Sequence, residues 1–322
     1  MNNKKSIIFA ILSLAFALLT VIFPIFIVVF AVGFTVCFIL SITFNRISLM
    51  LSPVFIAVPL IIGLSPYFCV IPVILIIGSI VASELIRRKI NFKGVVIASG
   101  TLTAFLSLLS AYGIVFIKAG TVSYDAIISL LLPLKEPFLE SANKMFEQYA
   151  ALGINLNGLT VDGFYKVASE LVKGIFITLL PGLLMMFSLV LAFVTIIIVK
   201  RILYKSNYET SLGLASDYTL SNVSVWVYIV TLFLKMLITQ QVMLTAIVNF
   251  YLVIATLFFL AGISAVAFML RNSSVRPIIK SVIYVVLAFI ILTGMVEVVV
   301  FLGVLFTIFN VRERYQTLFP KR

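Results

Sequence analysis

Histidine is missing from all 322 residues, and cysteine occurs only twice, as Cys37 and Cys69. The first absence removes the commonest metal ligand and the usual general base near neutral pH. The two cysteines lie in separate apolar runs with no Cys-x-x-Cys spacing, which argues against a disulfide framework or a zinc site. Charge is scarce as well: Asp, Glu, Lys and Arg make up 11% of the chain, against roughly 25% in soluble domains. Signatures of known chemistry are also lacking. There is no GxxxxGK[ST] phosphate loop, no HExxH and no GxSxG. No pair of carboxylates stands where a membrane face could use it for metal-assisted lipid-phosphate chemistry, and Glu209 and Asp217 read as isolated loop acids. The expectation is a chain that is not an enzyme and that needs no cofactor.

What the chain has instead is apolar sequence. Hydrophobic residues reach 63% and the mean hydropathy is +1.28, well above the roughly 45–50% apolar content of a soluble domain. The apolar runs are continuous rather than alternating, so they suit membrane helices of about 20 residues and not a β-barrel. The net charge of +12 is spread over short basic knots between the runs. A nucleic-acid binder would gather its Lys and Arg on one face or stripe, so no nucleic-acid partner is expected. The basic knots fit loops retained on the cytoplasmic side.

The expected fold class is all-α, a polytopic transmembrane helix bundle of about 8–10 spans with one amphipathic extracytoplasmic insertion. The spans are placed at about Ser6–Phe23, Pro24–Phe44, Ser48–Leu64, Tyr67–Leu85, Gly94–Ile117, Gly174–Val199, Val223–Thr239 and Val242–Leu270. An uncleaved first span is expected rather than a signal peptide, because the apolar run is too long for one. The last stretch, Val275–Phe309, is too long for one comfortable helix and carries Thr293, Gly294 and Glu297 at its middle. A hairpin of two short helices keeps Arg312, Arg314, Lys321 and Arg322 on the side of Arg271, whereas a single tilted helix would move them across. The positive-inside rule favours the hairpin. Ten spans with both termini cytoplasmic follow, with eight or nine as the alternatives.

Residues 119–173 divide the chain into an N-terminal bundle (1–118), an insertion (119–173) and a C-terminal bundle (174–322). The insertion holds six of the eleven acidic residues. Phe138, Ala142, Met145, Phe146 and Tyr149 recur at helical spacing and form one apolar face. Gly153–Gly158 reads as a loop, and Asp162–Leu171 as a second short helix. The amphipathic helix is either a lid over an outward cavity or a segment lying on the membrane surface.

Charges inside spans are functional candidates by default. Lys235 and Glu297 both fall toward the outer side, where they could pair as a polar anchor in a cavity or snorkel separately. Asn249, in the eighth span, could bond across helices. These three residues make up the candidate intramembrane polar site. Glu84 precedes Arg87 and Arg88 at i+3 and i+4, the spacing of helix-surface ion pairs. Pro66, Pro72 and Pro181 are read as kinks or terminators of spans. The small-residue region at Gly262, Ser264 and Ala265 would suit a helix–helix interface.

The run Gly303-Val304-Leu305-Phe306-Thr307-Ile308-Phe309-Asn310-Val311-Arg312 resembles the end of the YybS-like bacterial membrane proteins, a family of unknown function. That family closes with Gly-Leu-Leu-Asp followed by Asp-Phe-Arg. Gly303 and Arg312 match, while Phe306 and Asn310 replace the two aspartates. Tyr218-Thr219-Leu220-Ser221 is similar to the family's Trp-Arg-Leu-Pro turn, with Leu220 kept. The resemblance implies a bacterial plasma-membrane protein whose N-terminal half looks like the substrate-binding membrane subunits of energy-coupling-factor transporters. The expected partners are the lipid bilayer and either a small-molecule ligand, for a transport-like protein, or another membrane protein, for a regulatory or scaffold role.

Overall fold

The computed structural model describes residues 2–22, 27–61, 69–121, 135–151, 160, 163, 166–167, 170, 178–273 and 276–318. Among them every regular element is helical: α1 (Asn2–Ile22), α2 (Ile27–Asn45), α3 (Ile47–Ile61), α4 (Val70–Arg87), α5 (Phe92–Ala119), α6 (Lys135–Ala151), α7 (Leu180–Lys205), a 3-10 turn (Ala215–Asp217), α8 (Asn222–Leu237), α9 (Gln241–Asn272), α10 (Pro277–Leu292), α11 (Val296–Ile308) and α12 (Val311–Leu318). By length and composition, α2, α4, α5, α7 and α9 contain segments able to cross a membrane, and α3, α8, α10 and α11 are shorter apolar helices. The chain is a polytopic helical bundle.

The described residues form two compact units, Met1–Ser107 with Gly182–Arg322, and Leu108–Pro181. In the first, successive helices reverse direction, and side-chain contacts gather their basic ends. Ser6 bonds Ser41 and Asn45 bonds Asn3, which makes α1 and α2 antiparallel. Lys5 Nζ reaches the Ser206 carbonyl beyond α7, Arg46 reaches Glu84 at the end of α4, and Ser211 reaches the Ile90 carbonyl. Glu84 also pairs with Arg88 at 3.1 Å. The expected i+4 pair is therefore extended by Arg46 into a link between helices.

The helices stop by backbone means rather than by running out of apolar residues. Lys89 and Asn207 adopt positive φ, and the next residues, Ile90 and Tyr208, donate back to the Leu85 and Leu203 carbonyls. Gly294, at φ 79, closes α10 the same way, with Met295 N–H donating to the Ile290 carbonyl. This closure satisfies carbonyls that a helix end leaves orphaned. It also explains the largest boundary difference. The sixth span, expected to end at Val199, runs on to Lys205 in α7, so Lys200, Arg201 and Lys205 lie inside its last turns. Long basic side chains can leave an apolar helix end for the interface without ending the helix.

The terminal hairpin is present. Lys280, early in α10, donates to the Ser273 carbonyl, and Tyr315, beyond α11, donates to the Asn272 carbonyl. Both ends of the α10–α11 pair thus return to the end of α9. Glu297 sits in the first turn of α11, where a carboxylate complements the helix dipole. Pro72 lies in the first turn of α4, where a missing N–H costs nothing, so it opens that helix rather than kinks it, while Pro181 follows a π-helical turn at residues 178–179, the kind of place where helices kink. The interior prolines are Pro53 and Pro59 of α3. Pro66 lies outside the described residues.

In the second unit, α6 has the expected two faces. Ala142 is buried and Met145 and Phe146 are half-buried, while Asn143, Lys144, Glu147 and Gln148 are exposed. The Phe138 and Tyr149 side chains, the loop Gly153–Gly158 and most of Asp162–Leu171 fall outside the described residues.

Candidate functional site

Four helices of the first unit, α2, α4, α5 and α7, line an open-sided cavity of about 460 Å³ whose wall is mostly apolar, including Val32, Ile71, Leu184 and Val194. It shares Leu75, Thr103, Ser188 and Leu191 with a narrower inner chamber of about 30 Å³. That chamber is lined by the hydroxyl residues Thr35, Ser79, Ser99, Thr103, Ser188 and Thr195. No sequence pattern marks this concentration, because the hydroxyls are spread over four helices and share no spacing.

Helix packing makes the chamber. Gly100 of α5 lies against the backbone of Ser188 and Leu189 in α7, where an added Cβ would come within 3.1 Å of Leu189 Cα. A Cβ on Gly78 would stand 2.4 Å from Thr103 Oγ1 and would intrude on the chamber wall. Phe92 and Phe193 close the bundle beyond the chamber by an edge contact at 5.4 Å.

Most of these hydroxyl protons are committed. Thr35, Ser79, Ser99 and Thr103 donate to the carbonyls of Ala31, Leu75, Val95 and Ser99, four residues back, at 2.7–2.8 Å. Their oxygens therefore offer lone pairs. Thr195 differs: it is 1% exposed, and its Oγ1 has no hydrogen-bond partner among the described residues. A buried polar group left unpaired costs about 1–3 kcal/mol.

The residues singled out by charge lie elsewhere. Lys235 and Glu297 form no direct ion pair among the described residues; they meet on Tyr251. Its hydroxyl donates to both Glu297 oxygens at 3.1 and 3.2 Å, and Lys235 Nζ stands 4.5 Å above its ring. Tyr228 stacks on the same residue at 5.8 Å. Tyrosine supplies both a phenol for the anion and a ring face for the cation, which makes a direct pair unnecessary. Neither charge lines the cavity. Asn249 accepts from the Gly182 N–H at 2.6 Å and donates to the Thr245 carbonyl at 2.8 Å. It ties α9 to the backbone of α7 beside the π-helical turn at residues 178–179.

Asp217 is not isolated. Arg312 Nη2 lies 2.5 Å from its Oδ1 and also donates to the Ser216 carbonyl, while Arg271 approaches to 3.9 Å and bonds Ser216 Oγ. Ser264 Oγ donates to the Ala215 carbonyl, and the Lys200 ammonium donates to that of Gly213. The turn between α7 and α8 is thereby pinned to α7, α9 and α12. It brings together the two segments that carried the family resemblance, since Arg312 binds immediately before Tyr218.

Tyr218 is 1% exposed, packs edge-on against Phe193 at 5.8 Å, and has a hydroxyl without a partner among the described residues. Burial pushes its phenol well above the ordinary range. The protonated form is thus favoured in the fold. That contribution is complete below the unfolded pKa of about 10 and is lost as pH rises through the folded value. Tyr218→Phe is expected to raise stability by about 1 kcal/mol at neutral pH, and to flatten the loss of stability above about pH 10. Thermal unfolding of the two proteins across pH 8–11 checks both.

Residues 8–305 match the family described as Predicted membrane protein (DUF2232). The chain belongs to this family. No curated protein and no solved structure matches it. Family and fold agree on an integral membrane protein with several apolar helices.

Proposed function

We propose that this DUF2232 protein binds a small molecule within the membrane, in a transport-like role, at the cavity between α2, α4, α5 and α7. The observation that carries this reading is the pairing of a cavity of about 460 Å³, inside the usual range of about 300–1,000 Å³ for ligand sites, with a polar inner end. The reading assigns the protein no catalysis. It places the basic helix ends, and with them both termini, in the cytoplasm of a bacterial cell, with residues 119–173 on the outside. The resemblance to YybS-like proteins and to substrate-binding subunits of energy-coupling-factor transporters points the same way.

A membrane partner or scaffold role would have drawn on Gly262, Ser264 and Ala265. That face is already occupied: Gly262 lies against Val299 of α11, and Ser264 holds the 3-10 turn. This favours binding over scaffolding. Leu191→Trp would fill the cavity where it meets the inner chamber. Native mass spectrometry of gently extracted protein is expected to find a co-purifying small molecule on the wild type and none on the variant, at similar melting temperatures. Identical spectra, or no adduct on either, would remove the support for a binding site here.

A further inference from the structure

We infer that the ligand class is a neutral amphiphile with a single hydroxyl head, drawn tail and all from the membrane and held with its hydroxyl in the inner chamber. The inference rests on the binding reading above and specifies its substrate.

Charge is the first argument. The chamber and cavity are lined by hydroxyl and apolar side chains and by no Lys, Arg, Asp or Glu. A carboxylate, phosphate or ammonium head would enter without a counter-charge, and burying an unpaired ion is far more costly than burying a hydroxyl.

Hydrogen-bond polarity is the second. Thr35, Ser79, Ser99 and Thr103 spend their protons on their own helices and present lone pairs. Thr195 keeps an uncommitted buried hydroxyl in the same wall. The chamber therefore asks for a group that donates one hydrogen bond and accepts another, as an alcohol does and an ether or an alkane does not. Its roughly 30 Å³ has room for little more than one water-sized group.

Depth is the third. Thr35, Ser79 and Ser99 lie ten, eight and seven residues from the basic ends of α2, α4 and α5. At about 1.5 Å per residue they sit roughly 10–15 Å from that face, near the middle of a hydrocarbon core of about 30 Å. Phospholipid headgroups stay at the surface, and an acyl tail alone would leave Thr195 unpaired. A terminal alcohol carried in on its own chain satisfies the chamber, while its tail fills the apolar cavity outside.

The test uses the full chain in nanodiscs with a diazirine-bearing long-chain alcohol as photolabel, mapped to peptides of α4, α5 and α7. Dodecan-1-ol, dodecane and dodecanoate compete for labelling. Dodecan-1-ol is expected to compete at about tenfold lower concentration than either of the others. Thr195→Val should erase that advantage, and Thr195→Ser, which keeps the hydroxyl, should retain it. Equal competition by dodecane and dodecan-1-ol would overturn the head-group assignment and leave the cavity as a site. Stronger competition by dodecanoate, or an unchanged alcohol preference in Thr195→Val, would overturn it too. Failure of all three to compete would sink both this inference and the binding reading.

Discussion

Replacing Gly303 with alanine is expected to destabilise the protein by on the order of 3 kcal/mol, the upper part of the usual range for overpacking, and Gly303→Leu to prevent recovery of folded protein. A Cβ on Gly303 would stand 2.1 Å from the Phe258 carbonyl oxygen and 2.8 Å from the Gly262 nitrogen. Across the same contact, a Cβ on Gly262 would stand 2.1 Å from the Val299 carbonyl oxygen. The obstacles are backbone atoms of α9 and α11, which cannot turn aside as a side chain can. Helix association in lipid gains little from hydrophobic driving force and relies on close backbone approach at small residues. Moving α11 outward would also disturb Val299 and Val300, both buried, and the Glu297–Tyr251 contact. Two other glycines give the scale. Gly33 faces the ring of Phe16, a side chain that can shift, so Gly33→Ala should cost less. Gly113 has nothing within 4 Å, and Gly113→Ala should be neutral or gain about 0.5–1 kcal/mol from lower chain entropy. Melting temperatures in one detergent order the three; a Gly303→Ala protein as stable as Gly113→Ala would contradict the packing.

Gly303 was visible in the sequence only as part of a family-like run, and its physical role was not. The apolar helices and the terminal hairpin were legible because they follow from residue type and order alone: apolar length, basic knots and a Gly-containing break. Asn249 was legible as a residue that would bond across helices, since an amide in an apolar run must find a partner. Tyr251 was not, because tyrosine breaks no apolar pattern, and its bridging role exists only once α8 and α11 are both beside α9. Asp217 looked isolated because its partners are 54 and 95 residues away, at Arg271 and Arg312. The hydroxyl chamber is the extreme case. Serine and threonine are ordinary in membrane helices when they bond back to their own turn, and nothing local distinguishes Thr195 from Thr103.

A membrane-impermeant maleimide is expected to label Thr293→Cys in intact cells, and to reach Lys205→Cys and Arg314→Cys only after the membrane is opened. All three positions are exposed, and Cys37 and Cys69 would first be replaced by alanine. The contrast is all-or-none because the bundle sorts its charge by helix end. Lys5, Arg46, Arg88, Lys205, Arg271 and Arg312 gather at the ends joined by the Lys5–Ser206, Arg46–Glu84 and Arg312–Asp217 contacts. Short basic loops are retained in the cytoplasm, so the opposite orientation would require all of these knots to cross together. Thr293 lies at the reversal between α10 and α11, far from that face, and Arg314 follows α11 back to it. The three labels separate the possibilities. Lys205→Cys and Arg314→Cys labelled from outside, with Thr293→Cys protected, would mean that the whole bundle is inverted. Arg314→Cys and Lys205→Cys on opposite sides would mean that α10 and α11 do not form a hairpin, and the contacts of Tyr315 with Asn272 and of Arg312 with Asp217 could not then exist.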